Sequence, residues 1–262
     1  MPNAPILEVI DLRLSFGGIT ALTGVSFKVN HGEIIGLVGA NGSGKTSLLN
    51  VVNGLYKPEW GGVLFEGKDI TGQDPHKIAG LGIARSFQHA ELFRNMSVLE
   101  NLLVGCHTGM KGNLFSCGLF WGLAEKEEIA FRRRADEVIQ FLKLERYRKQ
   151  RVANLSAGVM RLVGLARALC MQPKIMLLDE VSSGLNRQEK KELARVLLRI
   201  KDERHIPILW VEHDVKLIGG LADRLVVLHY GHKIAEGSLD EVSDDPQVVK
   251  AFLGGATTQG EK

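Results

Sequence analysis

Residues 33–46, EIIGLVGANGSGKT, constrain this chain more than any other stretch of it. EIIGLVG is apolar without alternation, the pattern of a strand buried on both faces of a sheet. GANGSGKT (39–46) follows it and fits G-x-x-x-x-G-K-[ST], and KTSLLNVVNGL then has helical spacing. Strand, glycine-rich loop and helix in that order make a phosphate cradle. The glycines let backbone N–H groups curl around phosphate oxygens, and the helix N-terminus adds its positive end. Gly39, Ala40, Asn41, Gly42, Ser43 and Gly44 form the loop itself. Lys45 would reach the β- and γ-phosphates, Thr46 would place a hydroxyl on Mg²⁺, and Ser47 would sit at the α-phosphate. The stretch reads as a nucleoside triphosphate site.

The rest of the chain supplies a sheet for this loop to stand on. ILEVIDLRLSF, a Gly-Gly turn and ITALTGVSFKV alternate in the manner of paired strands, and GGVLFEGKDI (61–70) adds a further β segment. From about 89 to 165 the character changes. A long charged helix is expected over AEKEEIAFRRRADEVIQFLKLERYRKQR, with Ile129, Ala135, Val138, Ile139 and Leu142 close to one face. Strand and helix then alternate again: KIMLLDE (174–180), a helix over 187–204, IPILWVE (206–212), a helix over 214–221, and RLVVLHYGHKIAEG as a hairpin. Alternation on both sides of a helical insert predicts an α/β fold, a mostly parallel sheet core with an N-terminal antiparallel β subdomain and an inserted α-helical subdomain. The expected division is 1–88 for the first part of the core, 89–165 for the helical insert, 166–254 for the rest of the core, and 255–262 for a flexible tail.

Further chemistry falls where a parallel sheet collects its ligands, at the C-terminal ends of the strands. In KIMLLDEVSSGLN four apolar residues run into Asp179, an acid suited to the Mg²⁺ shell, and Glu180 beside it is placed to orient or deprotonate an attacking water. His213 ends the next apolar strand, where an imidazole could contact the γ-phosphate. Gln88, in ARSFQHAELF, stands between core and insert, so it could touch Mg²⁺ and water while moving with the helices. LSAGVMRLVGLARAL (155–169) begins with small residues, Ser156 and Gly158, and then becomes a helix.

Composition narrows the surroundings. Hydrophobic residues make up 45% and charged residues 24% of the chain, as in an ordinary globular protein, and the net charge of +3 gives no argument for nucleic acid. FRRRADEVIQFLKLERYRKQR mixes acids among its bases and carries an apolar stripe, so it reads as a solvated helix. Cys106, Cys117 and Cys170 have no C-x-x-C spacing and suit a reducing compartment. Leu114–Leu123 is the longest greasy run and is far short of the roughly 20 residues that span a bilayer. A cytosolic chain able to work at a membrane surface is expected.

In this order, GANGSGKT, Gln88, LSAGV, IMLLDE, SSGLN and His213 resemble the Walker A loop, Q-loop, signature, Walker B strand, D-loop and switch histidine of the ATP-binding-cassette ATPases. The likeness covers residues 6–253. It implies that Phe16, in LSFGG, stacks on adenine. It also implies that two cassettes pair head to tail, with Ser156 and the backbone at Gly158 closing over the partner's nucleotide. Val159 stands where the family usually has Gln, Ala157 where it has Gly or a small residue, and Val181 and Arg187 where Pro is common. A competent but weakened signature is expected. SFGGITALTGVSF, VEHDVKLIGGLADRLVVLHYGHKIAEG and DPQVVKAFLG are similar to the ATPase subunit of branched-chain amino acid importers. That likeness implies a place on the cytoplasmic face of the inner membrane, under two transmembrane permease subunits fed by a periplasmic binding protein. Amide or urea importers and exporter or lipid-extraction complexes are the alternative settings, and no nucleic-acid partner is expected.

Overall fold

The computed structural model describes residues 4–86, 92–106, 123–213 and 215–253. Its centre is a six-stranded sheet of order β10-β9-β3-β8-β7-β6. Those strands are β3 (Ile34–Val38), β6 (Ile83–Ser86), β7 (Ile175–Asp179), β8 (Ile208–Glu212), β9 (Arg224–His229) and β10 (His232–Gly237). Every pairing is parallel except β9 with β10, the expected hairpin. All five residues of β3, β7 and β8 are buried, which is why these strands read as continuous apolar runs rather than alternating ones.

Successive side chains leave a strand on opposite faces, and the two faces gather separate cores. Ile35, Leu37, Leu177, Leu209 and Val211 join one cluster with helix α1 (Lys45–Val52) and with a four-stranded antiparallel sheet. That sheet has the order β2-β1-β4-β5, from β1 (Leu7–Phe16), β2 (Ile19–Val29), β4 (Trp60–Phe65) and β5 (Lys68–Asp69). Gly17 and Gly18, at φ 51° and 93°, make the turn between β1 and β2, where two positive φ values suit the twist of a hairpin. The alternation of β1 breaks at Asp11, whose φ of 43° marks a bulge.

Ile34, Val38, Met176, Leu178, Ile208 and Trp210 point to the other face. They form one continuous cluster with α3 (Val98–Cys106), α4 (Leu123–Phe141), α5 (Ala157–Cys170) and α6 (Arg187–Arg204). Four shorter or peripheral elements complete the helices: α2 (Pro75–Leu81), α7 (Val215–Gly219), α8 (Leu239–Asp244) and α9 (Pro246–Leu253). The Cys106 and Cys170 thiols are free and buried in this second core. Cys117 and the tail after Leu253 lie outside the described residues.

Three expectations need correction. The long helix ends at Phe141 rather than running towards Arg151. Lys143 takes a left-handed φ of 56°, and a bidentate pair from Arg148 to Asp136 (2.7 and 3.2 Å) folds the chain back. The returning chain then bonds Val152 N–H to the Met96 carbonyl. Within α4, Ala135, Val138 and Ile139 are buried, as is Leu142 just beyond it, but Ile129 is 60% exposed. At about 100° per residue it lies roughly 120° round the helix from Ala135, off the face on which Phe131 also packs. Finally, the helix expected over 214–221 is a shorter one, Val215–Gly219.

Candidate functional site

Strand register assembles the site. Val38 lies opposite Glu212, and Asp179 opposite Val211, so β3, β7 and β8 end together. The phosphate loop, Asp179–Glu180 and His213 therefore emerge at one edge of the sheet, although about 170 residues separate the first from the last.

The glycines of the loop are there for two different reasons. A Cβ on Gly39 would stand 2.2 Å from the Leu228 carbonyl oxygen, and one on Gly44 would stand 2.5 Å from that of Ala21. Both positions exclude any side chain by contact. Gly42 has open space around it but a φ of 78°, so only its backbone conformation asks for glycine. The β9–β10 turn braces the loop from outside through Gly231, whose N–H donates to the Ser43 carbonyl at 3.0 Å. Ala40, Asn41 and Thr46 are exposed, Ser47 is half-buried, and Ser43 is buried. The Lys45 ammonium donates to the carbonyls of Gly39 (2.8 Å) and Ala40 (2.9 Å). Burial pushes its pKa below the ordinary 10.5, and the charges of Glu180 and Asp179 oppose that shift.

Asp179 is buried and paired with Arg85, 2.7 Å from guanidinium to carboxylate. A second nitrogen of Arg85 donates to Asn50 Oδ1 on α1 at 2.6 Å. Arg85 thus ties the acidic end of β7 to the helix that carries the phosphate loop. The Asn50 main-chain carbonyl in turn accepts from Leu55 and Tyr56 N–H. Tyr56 packs its ring on Phe16 with centroids 5.1 Å apart at 71°. Phe16 is exposed at the rim, so one face of its ring remains available to a flat ligand. Glu180 is half-buried at φ 46° and donates its N–H to the Val211 carbonyl.

Glu212 is wholly buried at the end of β8. One carboxylate oxygen accepts the Ser182 N–H at 3.0 Å. The exposed imidazole of His213 lies beside the other oxygen, with Nδ1 3.8 Å away.

Ser156 and Gly158 border a different cavity, of about 170 Å³, between α5 and α6. Ser156 caps α5, accepting from Val159 N–H at 3.4 Å. A Cβ on Gly158 would meet Glu189 Oε1 at 2.5 Å, so a larger residue there would displace the Glu189 side chain. Val159 is half-buried against the second core, which gives its apolar side chain a place. Gln88 lies outside the described residues.

Sequence reasoning did not single out Arg85, Asn50, Tyr56, Arg161 or Glu212. A charged residue inside the short apolar stretch IARS was a usable signal for Arg85. No comparable signal marked Asn50 or Tyr56, whose importance comes from partners distant in sequence.

Comparison with known proteins gives the arrangement a context. The model of the ABC transporter family matches residues 22–183, and that of the branched-chain amino acid ATP-binding cassette transporter matches residues 232–257. The chain is 37% identical over 261 residues to the high-affinity branched-chain amino acid transport ATP-binding protein BraF of Pseudomonas aeruginosa, covering 97% of this chain and 100% of that one. Its fold matches the crystal structure of the ADP conformation of MJ1267, an ATP-binding cassette of an ABC transporter. The TM-score is 0.84 and the identity 34%, over 96% of this chain and 100% of the other. It also matches a dimeric post-hydrolysis cassette bound to ADP and Pi, with TM-score 0.73 and 25% identity over 89% and 98% of the two chains.

Proposed function

The chain belongs to the ABC transporter ATPase family, and from that membership we propose that it hydrolyses ATP to drive uptake of branched-chain amino acids. One observation carries the chemistry: the register of β3, β7 and β8 sets the phosphate loop, Asp179, Glu180 and His213 on one edge. Near-complete coverage of BraF and the match at residues 232–257 support the choice of cargo.

Loop N–H groups at 39–44 and the Lys45 ammonium bind the β- and γ-phosphates, and Ser47 meets the α-phosphate. Phe16 stacks on adenine, its ring held edge-on by Tyr56. Hard oxygen donors suit Mg²⁺, and the Thr46 hydroxyl, the Asp179 carboxylate and Gln88 are the donors for it. Once bound there, the ion supplies charge neutralisation at the phosphates. Glu180 orients the attacking water and takes its proton, while His213 contacts the γ-phosphate.

The cavity at Ser156 and Gly158 is lined by no residue of the phosphate loop, which supports a head-to-tail pair. In that pair Ser156 of the partner subunit and the backbone beside Gly158 complete each site, as the likeness to a dimeric cassette also suggests. Among the described residues no helix is long and apolar enough to cross a membrane. The chain works peripherally, on the cytoplasmic side of two permease subunits, with a periplasmic binding protein delivering cargo.

Purified chain should hydrolyse ATP, and Glu180→Gln should lower turnover by about 100-fold or more while nucleotide still binds. Turnover by Glu180→Gln at the parental rate would overturn the assignment of the base. Isolation of the complex from native membranes in mild detergent should recover two polytopic membrane proteins, and recovery of ribosomes or DNA instead would overturn the transport reading.

A further inference from the structure

Glu212 is a fully buried carboxylate that the reaction outlined above does not use. Such a group is tolerated inside a protein when its oxygens find donors. One oxygen has the Ser182 N–H at 3.0 Å. The other, Oε2, is buried with no hydrogen bond among the described residues. Beside it stands His213 Nδ1 at 3.8 Å, about 0.6 Å beyond hydrogen-bond range. The imidazole is half exposed, so it has room to turn towards the carboxylate.

The surroundings of this carboxylate join three segments. Ser182 opens the turn that follows Glu180. Arg161, one turn into α5, donates to the Ser183 carbonyl at 3.3 Å. Burial pushes the Arg161 pKa down, and the nearby Glu212 charge opposes it.

We propose that Glu212 is a positioning residue for His213: Oε2 accepts the Nδ1–H, aiming Nε2 at the nucleotide, while Oε1 holds the Ser182 turn in register with it. This rests on the reading of His213 as the group that meets the γ-phosphate. The carboxylate thereby makes the orientation of His213 depend on the Ser182–Leu185 turn, and through Arg161 on α5.

Glu212→Gln is the discriminating variant. Its amide oxygen still accepts from Ser182 N–H, but its NH₂ cannot accept from His213. In the full chain, kcat for ATP should fall about 10-fold, with KM for ATP within twofold of the parent and the melting temperature unchanged. Combined with His213→Ala, the second substitution should add no further loss, because both remove one unit. Parental kcat in Glu212→Gln, or losses that multiply in the double variant, would overturn the proposal. An inert His213→Ala would overturn the reading of His213 itself, whatever Glu212 does. If Glu212→Gln fails to fold, ¹⁵N spectra of the imidazole in Glu180→Gln chain with Mg·ATP decide the matter. A proton on Nδ1 supports the proposal, and a bare Nδ1 overturns it.

Discussion

Lys45 sits under two opposing influences in the folded chain. Burial disfavours its charge, and Glu180 and Asp179 favour it, with burial the larger. Its pKa is therefore lower folded than unfolded, so on raising the pH the folded chain loses this proton first. While the unfolded state binds more protons, stability rises with pH. The contribution of Lys45 should thus grow more favourable in the window just below 10.5. Lys45→Met should abolish that rise along with ATP turnover, as melting curves of the two proteins across the alkaline range will show. Arg85 presents the opposite case. It shares a 2.7 Å ion pair with Asp179, and both side chains are largely buried. Removing one partner of such a pair strands the other, so Arg85→Met should cost about 3–5 kcal/mol in denaturant unfolding. The same variant should weaken Mg²⁺-dependent nucleotide binding, because Asp179 would lose the contact that holds it.

Elements are held in place here by side chains that also belong to the site. Helix α6 begins with a capping box in which Asn186 and Glu189 satisfy each other's N–H groups. The other oxygen of Glu189 lies against Gly158, where α5 starts. Gly158→Ala should force Glu189 out of the box and cost about 1–2 kcal/mol, the scale of losing a cap. In a Glu189→Ala background the same change should cost less, since nothing remains for the new methyl group to displace. Equal costs in both backgrounds, measured by chemical denaturation, would show that Gly158 is not held to glycine by this contact. Val159→Gln tests the neighbouring position: if its ATPase rate equals the parent's, the apolar residue does not weaken the signature. The element-level pattern was largely legible beforehand. Buried strands of four or five apolar residues and their following helices read clearly, because full burial on both faces leaves no polar position. The end of α4 did not, because Lys143 has no sequence mark of its left-handed backbone and the Arg148–Asp136 pair joins residues 12 apart.

For the whole molecule, the two cores on opposite faces of one sheet make the chain a stable platform. Its signature residues lie at a cavity between α5 and α6 rather than in the bonds of its own phosphate loop. On the head-to-tail reading proposed above, a second cassette completes such a site. Glu180→Gln chain should therefore double in mass on adding ATP, as light scattering after gel filtration will show, and Lys45→Met should not. A Glu180→Gln chain that binds ATP yet keeps its monomer mass would count against self-pairing and leave a second, different cassette as partner. The sequence by itself determined the phosphate loop, the acids after β7, the histidine after β8 and the parallel sheet beneath them. Each is a local pattern whose residue types answer to burial or to backbone geometry within a few positions. Tertiary structure alone decided that Arg85, bonded to Asn50, holds Asp179, that Tyr56 backs Phe16, and that Glu212 sits between Ser182 and His213. Most of these contacts join residues 30 or more apart in the chain. Contacts at that separation exist only once strand register has brought the ends of the sheet together.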